Sequence, residues 1–256
     1  MGVLNVTPDS FSDGGLYLDP ARALDRALAM LAEGASIIDV GGESTRPGAA
    51  PVPPEEELRR VLPVVRALAR AGDVVVSVDT SRAEVIEQVV AEGAAMINDV
   101  RALQAPGALA AAARGGAAIC LMHMRGEPAT MQQAVHYDDV VGEVRGMLAG
   151  RLAACREAGI EAERLCIDPG FGFGKLAPHN LELLRRLGEL LELDRPVLAG
   201  LSRKSLLKTL TGRDGGGRLA GSIALATVAA LNGASIIRAH DVGPTVDAVR
   251  VAAAFK

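Results

Sequence analysis

The chain has 256 residues, 49% of them apolar, with 27 Lys and Arg against 31 Asp and Glu for a formal net charge of −4. That content supports a sizeable core and excludes the basic blocks that track nucleic acid, while only 2% aromatic residues and no Trp exclude base-stacking platforms. No apolar run approaches the roughly 18 residues of a membrane helix, and the N-terminus lacks the charged-then-apolar layout of a secretory signal.

In chain order, β-branched and apolar runs predict strands over 2–5, 36–40, 74–79, 95–99, 118–122, 165–168, 197–201 and 235–238. Helical periods fall between them. Leu24, Leu28 and Leu31 share a face, as do Val85, Ile86, Val89 and Val90; Val140, Val144, Leu148, Leu152 and Cys155 mark a long helix. Leu184, Leu187 and Leu191 mark another, 219–231 is an Ala-rich helix, and Val246, Val249 and Ala253 stripe the last. Ser81-Arg82-Ala83-Glu84 has the form of a capping box for the third helix. Three segments repeat one pattern, Glu33-Gly34-Ala35, Glu92-Gly93-Ala94 and Asn232-Gly233-Ala234, each a helix end with Gly at the left-handed position followed by a strand. Cys120, Cys155 and Cys166 lie in apolar runs without C-x-x-C spacing and read as buried thiols of a reducing, cytoplasmic compartment.

Eight strands alternating with eight helices over this length predict an α/β protein, a (β/α)8 TIM barrel in a single domain over 1–256. A doubly wound open sheet is the alternative, disfavoured by the count of eight and the even spacing. The strand ends are Asn5; Asp39, with Thr45 and Arg46 in its loop; Asp79; Asn98-Asp99; His123; Asp168; Ser202-Arg203-Lys204; and Arg238 with His240. In a barrel these meet at the C-terminal rim, where barrel enzymes bind small molecules. Asp79, Asn98 and Asp168 suit a flat heterocycle with N–H and amino groups, whereas Lys204, Arg238, His240 and Arg46 suit a phosphate-type anion. Asn5 and the acids could help hold Mg²⁺.

Each residue has a plainer reading. Asp79 precedes a helix start and could serve the helix dipole; Asp168 precedes Pro169-Gly170 and could be a turn residue. Lys204 is harder to explain so, because a cation at a helix N-terminus opposes the dipole. Arg238, ending a buried strand, needs a carboxylate or a bound anion. His123 lies at a strand end, and His136 and His179 suit loops or helix caps. Gly170-Phe171-Gly172-Phe173-Gly174-Lys175 suggests a nucleotide loop, but a P-loop needs Gly where Pro169 stands and Ser or Thr where Leu176 stands.

With these residues in view the chain resembles the pterin-binding dihydropteroate synthase family. The resemblance is carried by Asn5-Val6-Thr7-Pro8-Asp9-Ser10-Phe11-Ser12-Asp13-Gly14-Gly15, the run from Asp39 to Pro47, Ser77-Val78-Asp79-Thr80, Ile97-Asn98-Asp99, Leu121-Met122-His123-Met124, the run from Asp168 to Lys175, Ser202-Arg203-Lys204-Ser205 and Arg238-Ala239-His240-Asp241. It spans essentially the whole chain, in order. It implies condensation of 7,8-dihydropterin-6-ylmethyl diphosphate with 4-aminobenzoate in folate biosynthesis, with Mg²⁺, in a homodimer open to sulfonamides. Carried over, Asp79, Asn98, Asp168 and Lys204 hold the pterin edge, and Arg238 and Ala239 lie along the pterin. Arg238, His240 and Arg46 grip the diphosphate, and Asn5 is the metal-side ligand. Thr45 contacts substrate, and Ser205, Phe11 and Pro47 border the aminobenzoate. The long glycine-bearing loops 6–18 and 41–54 are the expected lids; Asp39 and Glu43 are expected to be support.

Family members usually carry a segment before the first strand, whereas this sequence opens at Met1-Gly2-Val3, so closure of the barrel floor is open to question. The glycine-rich 212–217 is expected to be mobile. The competing functions are a pterin-binding methyltransferase domain, which has no need of the Asn5 loop or the Arg46, Arg238 and His240 clamp, and a catalytically silent pterin-binding paralogue.

Overall fold

The computed structural model describes residues 1–7, 20–44, 52–72, 74–127, 130–133 and 135–255. Parallel strands β1 (Gly2–Asn5), β2 (Ile37–Gly41), β3 (Val75–Asp79), β4 (Met96–Asp99), β5 (Ala118–Met122) and β6 (Leu165–Asp168) pair in sequence order, and β7 (Leu198–Ala199) pairs with β8 (Ile236–Ile237). Bridges join the two sets into a ring: Ile167 pairs with Val197, and Gly2 with Ala239. At the second seam Val3 N donates to Ala239 O and Ala239 N to Met1 O, both at 3.0 Å. The closed ring is the (β/α)8 barrel.

The helices are α1 (Pro20–Ala32), α2 (Pro54–Arg70), α3 (Ala83–Ala91), α4 (Ala108–Arg114), α5 (Val140–Glu157), α6 (Ala177–Arg185), α7 (Ser205–Thr211), α8 (Leu219–Leu231) and α9 (Val242–Ala253). Nine helices, rather than eight, occur among the described residues because β7 is followed by two. Between those two, the glycine-rich segment forms a 3-10 turn over Gly215–Arg218, and Arg218 ties it down through Arg213 O (3.1 Å) and Asp214 (3.0 Å). No helix among the described residues is long and apolar enough to cross a membrane.

Two helix faces differ from the periodic reading. On α1 the buried residues are Ala23, Ala27 and Met30, with Leu28 44% exposed; on α9 they are Val242, Thr245 and Ala252. Leu24 and Leu31 on α1 and Val246 on α9 pack partly buried against the core beside these residues. The third helix also lacks the expected capping box. Its N-cap is Arg82, and Ser81 Oγ instead donates to Asp99.

The main core lies between strands and helices, with Ile38, Val40, Val76, Val78, Ile97, Ile119, Leu121 and Ile167 all buried against helical residues. Their neighbours in the pleat face inward, where Met96, Cys120, Cys166 and Leu198 form a small separate cluster. Period-two alternation therefore carries Asp79 above Ser77, Asn98 above Met96, Asp168 above Cys166 and Arg238 above Ile236 on the inner face.

Candidate active site

The C-terminal rim is organised around Asp39, which is completely buried. Its Oδ1 accepts from Ser77 Oγ at 2.6 Å, and its Oδ2 accepts from Asn98 Nδ2 at 3.1 Å and Arg238 Nε at 2.6 Å. Arg238 reaches on with its second nitrogen to Asp79 Oδ2 at 3.1 Å. The carboxylate partners that a buried-strand arginine requires are thus Asp39 and Asp79. Burial opposes the Arg238 charge, but these carboxylates outweigh it and hold the guanidinium pKa above its ordinary value. Burial pushes the Asp79 carboxyl up to about 7, with Arg238 opposing and the neighbouring Asp39 and Asp99 adding to the rise.

Asn5, Gly41, Asp79 and Asn98 follow one another across the register of β1 to β4. A side chain at Gly41 would come within 3.3 Å of Asn5 Oδ1 and 3.7 Å of Asp79 Cβ, so glycine keeps the space between amide and acid open.

On the opposite arc, Asp168 accepts from Gly170 N at 2.7 Å, and burial raises its pKa while Lys204 opposes the rise. Lys204 is the N-cap of α7 and follows Arg203, which holds a left-handed φ of 59°. That strained residue is pinned: its N–H donates to Ser222 Oγ (3.0 Å), its guanidinium pairs with Asp241 (2.9 and 2.5 Å), and its carbonyl accepts from Arg218 (2.9 Å). The turn aims Lys204 inward, where Nζ donates to Phe171 O and lies 4.8 Å from the Phe173 ring centroid. Burial lowers the Lys204 pKa to about 8 against the pull of Asp168. Gly200 lies between the two cations, its absent Cβ 3.8 Å from Lys204 Nζ and 3.9 Å from Arg238 Cβ.

His240 Nδ1 is 3.1 Å from Ser202 Oγ, which also accepts from the His240 N–H at 3.2 Å. Ala239 is buried at the β8–β1 seam, and Ser205 is exposed on the first turn of α7. Asp79, Asn98, Asp168, Lys204, Arg238, Asn5 and His240 are therefore gathered on one rim. Phe11, Thr45, Arg46 and Pro47 lie outside the described residues. The stems of the second loop are described: Glu43 Oε1 accepts from Val52 N at 3.0 Å, and Arg82 pairs with both Glu43 (3.2 Å) and buried Glu57 (3.0 Å). A groove of about 940 Å³ runs along this side, past Glu43, Glu57, Arg82 and Arg101, and reaches Asp79.

His123 does not join the cup. It is buried, and its Nδ1 meets Lys175 Nζ at 2.8 Å. Burial first, then the Lys175 charge, depresses its pKa from 6.5 to about 3. A histidine held neutral in the fold but free to protonate when unfolded contributes stability that is complete above pH 6.5. That stability is lost as pH falls from 6.5 towards 3. In His123→Asn, chemical denaturation between pH 4 and 7 should show a shallower loss on acidification than in the wild type; parallel curves would contradict the buried neutral state.

Two contributions to the site were not anticipated. One is Phe173 with the Phe171 carbonyl under Lys204; the other is the reach of Asp39 to Arg238 across the barrel. The paired phenylalanines between glycines were a usable signal for the first. Nothing local marks the second.

The comparisons with known proteins agree with this geometry. A family model described as a pterin binding enzyme matches residues 1–240. Dihydropteroate synthase of Escherichia coli strain K12 is 55% identical over 251 residues, covering 98% of this chain and 89% of the relative. The crystal structure of the Yersinia pestis dihydropteroate synthase with a sulfonamide drug superposes with a TM-score of 0.98 at 51% identity, covering 100% of this chain and 93% of that one. The Xanthomonas albilineans enzyme in complex with 7,8-dihydropteroate superposes with a TM-score of 0.88 at 46% identity, covering 100% and 91%. At such identity over nearly the full length, with the barrel retained throughout, the chain belongs to the pterin-binding enzyme family and, within it, to the dihydropteroate synthases.

Proposed function

We infer that the chain is a transferase that condenses 7,8-dihydropterin-6-ylmethyl diphosphate with 4-aminobenzoate, giving 7,8-dihydropteroate and pyrophosphate. The observation that carries this reading is the convergence of Asp79, Asn98, Asp168, Lys204 and Arg238 on the inner rim of a barrel that is 55% identical to a dihydropteroate synthase. A pterin-binding methyltransferase is the weaker reading, since it has no use for Asn5 and the Arg238 and His240 cations.

In this assignment Asp168, Asn98 and Lys204 supply the acceptor, amide and donor for the amino-pyrimidine edge of the pterin. Arg238, already oriented by Asp39 and Asp79, lies along the ring and faces the diphosphate with His240 and the loop residue Arg46. As the C–O bond to the diphosphate breaks, positive charge develops on the dihydropterin methylene. Asp79 and Asp168 stabilise that charge electrostatically rather than by attack. The arylamine nitrogen then donates its lone pair to form the C–N bond and loses a proton to water or to the departing pyrophosphate. It is nucleophilic without a strong base, so the protein's work is positioning and exclusion of water. Thr45 contacts the substrate, and Phe11, Pro47 and Ser205 border the aminobenzoate; Ala239 lines the pterin side.

Mg²⁺ fits this donor set. Mg²⁺ takes few protein oxygens when phosphate and water supply the rest, and the rim offers the Asn5 amide oxygen and the Asp79 carboxylate on either side of Gly41. Asn5 Oδ1, beside the space that Gly41 leaves open, would hold it, and the ion would neutralise charge on the leaving diphosphate. A homodimer is carried over from the family resemblance. The three free, buried cysteines are consistent with a cytoplasmic protein, and the chain is read as one domain.

A coupled pyrophosphate-release assay tests the reaction: release should require both substrates and Mg²⁺, and none under those conditions would favour a silent pterin-binding paralogue. Asp168→Asn should weaken pterin binding by about tenfold to a hundredfold, the scale of a hydrogen bond to a charged group, with the circular dichroism spectrum unchanged. Unaltered affinity by calorimetry would remove Asp168 from the pterin edge.

A further inference from the structure

The run Gly170-Phe171-Gly172-Phe173-Gly174-Lys175 fails as a phosphate loop, yet its lysine is among the most deeply buried charged residues, at 2% exposure. Lys175 Nζ lies 3.0 Å from Gly170 O, 3.1 Å from Phe173 O and 2.8 Å from His123 Nδ1. The His123 carbonyl, at 3.4 Å, is a fourth and longer contact, so the three donors of an ammonium are all engaged. Gly170, Gly172 and Gly174 hold left-handed φ values of 68°, 80° and 63°, which wrap the chain around that one nitrogen.

Phe173 N donates within the loop to Gly170 O at 3.1 Å, and three further polar groups are satisfied from outside. Gly172 N donates to Asn180 Oδ1 at 2.7 Å, Asn180 Nδ2 to Lys175 O at 3.0 Å, and Tyr137 OH to Gly174 O at 3.0 Å. The loop so fixed touches both members of the pterin-edge pair. Its Gly170 N–H orients Asp168, its Phe171 carbonyl accepts from Lys204, its Phe173 ring faces the Lys204 ammonium, and a Cβ at Gly172 would meet Lys204 Cδ at 3.3 Å.

We propose that Lys175, seated on His123, is a positioning residue for the reaction: through the 170–174 turn it sets the place of Asp168 and Lys204 without touching substrate. The inference rests on the pterin-edge assignment of those two residues. It also carries an electrostatic consequence. The groups facing Lys204 are Asp168 on β6, Asp79 on β3, Arg238 on β8 and Lys175 itself, and Arg125 and His123 face Lys175. Burial lowers the Lys175 pKa, and Asp168 opposes that fall. Asp168 faces both lysines, so removing Lys175 leaves that carboxylate as counter-charge to Lys204 alone and favours the Lys204 cation to a pH higher than about 8.

The test compares wild type with Lys175→Met and with the pair His123→Ala and His123→Asn, the asparagine amide oxygen standing where Nδ1 stood. Lys175→Met should raise KM for the pterin diphosphate about tenfold, as for one lost charge-assisted contact, while KM for 4-aminobenzoate stays within about twofold. The alkaline limb of kcat/KM should move upward in pH. His123→Ala should repeat the KM pattern and His123→Asn should restore most of it, which keeps the proposal testable if Lys175→Met does not fold. Equal changes in both KM values with an unmoved alkaline limb, or wild-type KM in His123→Ala, would overturn the positioning role. Absence of pyrophosphate release in the wild type would instead overturn the assigned reaction, so the two failures are distinguishable.

Discussion

Arg238→Met should destabilise the protein by about 3–5 kcal/mol in urea titrations near neutral pH, the cost of leaving buried charge without its partner. The guanidinium holds two carboxylates together, Asp39 at 2.6 Å and Asp79 at 3.1 Å, and Asp39 has no exposure through which water could replace it. Methionine keeps most of the volume, so a cavity contributes little and the loss is electrostatic. Its size should depend on pH. With the cation gone, Asp79 keeps its proton to a pH higher than about 7, so the penalty should grow as pH rises above neutral. Combining the change with Asp39→Asn should recover part of the loss, because the second substitution removes the charge that the first exposed. A loss below about 1 kcal/mol at neutral pH would mean that the carboxylates are solvated and that Arg238 does not brace the rim. Pyrophosphate release should fall below detection in either case.

Among the glycines of the described residues, Gly170→Ala should be the most damaging single-methyl change. A Cβ there would sit 1.8 Å from the carbonyl oxygen of His123, at a φ of +68° that already disfavours an L-residue by about 1–2 kcal/mol. The clash cannot relax by a side-chain rotation, since the Cβ position is fixed by its own backbone and the oxygen belongs to the main chain of His123. His123 N also donates to Asp168 O at 2.9 Å, which clamps the two strand ends together. The expected loss exceeds about 3 kcal/mol and removes pterin binding with it, since the Gly170 N–H orients Asp168. Gly159→Ala is the matched control: its φ is +82°, but a Cβ there meets nothing within 4 Å, so it should cost only the backbone term. Similar thermal shifts for the two variants would rule out the contact at His123.

The strand order and the ring of rim residues were legible in the sequence because both follow from local alternation. Strands β1, β5 and β6 match their expected limits, β3 and β4 begin one residue later than expected, and β2 is displaced by one residue at both ends. The last two are shorter than expected, since Val197 O accepts from both Ser235 and Ile236, at 2.8 and 3.1 Å, and the regular ladder is brief there. Ser81 misled because a capping sequence specifies only a local option, and Asp99, one strand over, offers its hydroxyl a buried carboxylate. Lys175 misled differently. Read as a motif for an external phosphate it failed, while the same glycines and lysine make sense once the loop's own carbonyls are the acceptors. The centrality of Asp39 was legible only as support, for its decisive partner comes from the far end of the chain.

That last contact has a bearing on how the protein comes to be active. Asp39 meets Ser77 across 38 residues and Asn98 across 59, but Arg238 across 199. The early half of the rim can assemble while the chain is still being synthesised; the arginine that completes it arrives with the strand that shuts the ring against β1. Competence to bind ligand and closure of the barrel are then one event, so a chain stalled before β8 would carry most of the pterin-edge residues and bind nothing. A bound ligand would in turn add its free energy to that seam and slow amide exchange at Val3 and Ala239, well away from any atom it touches.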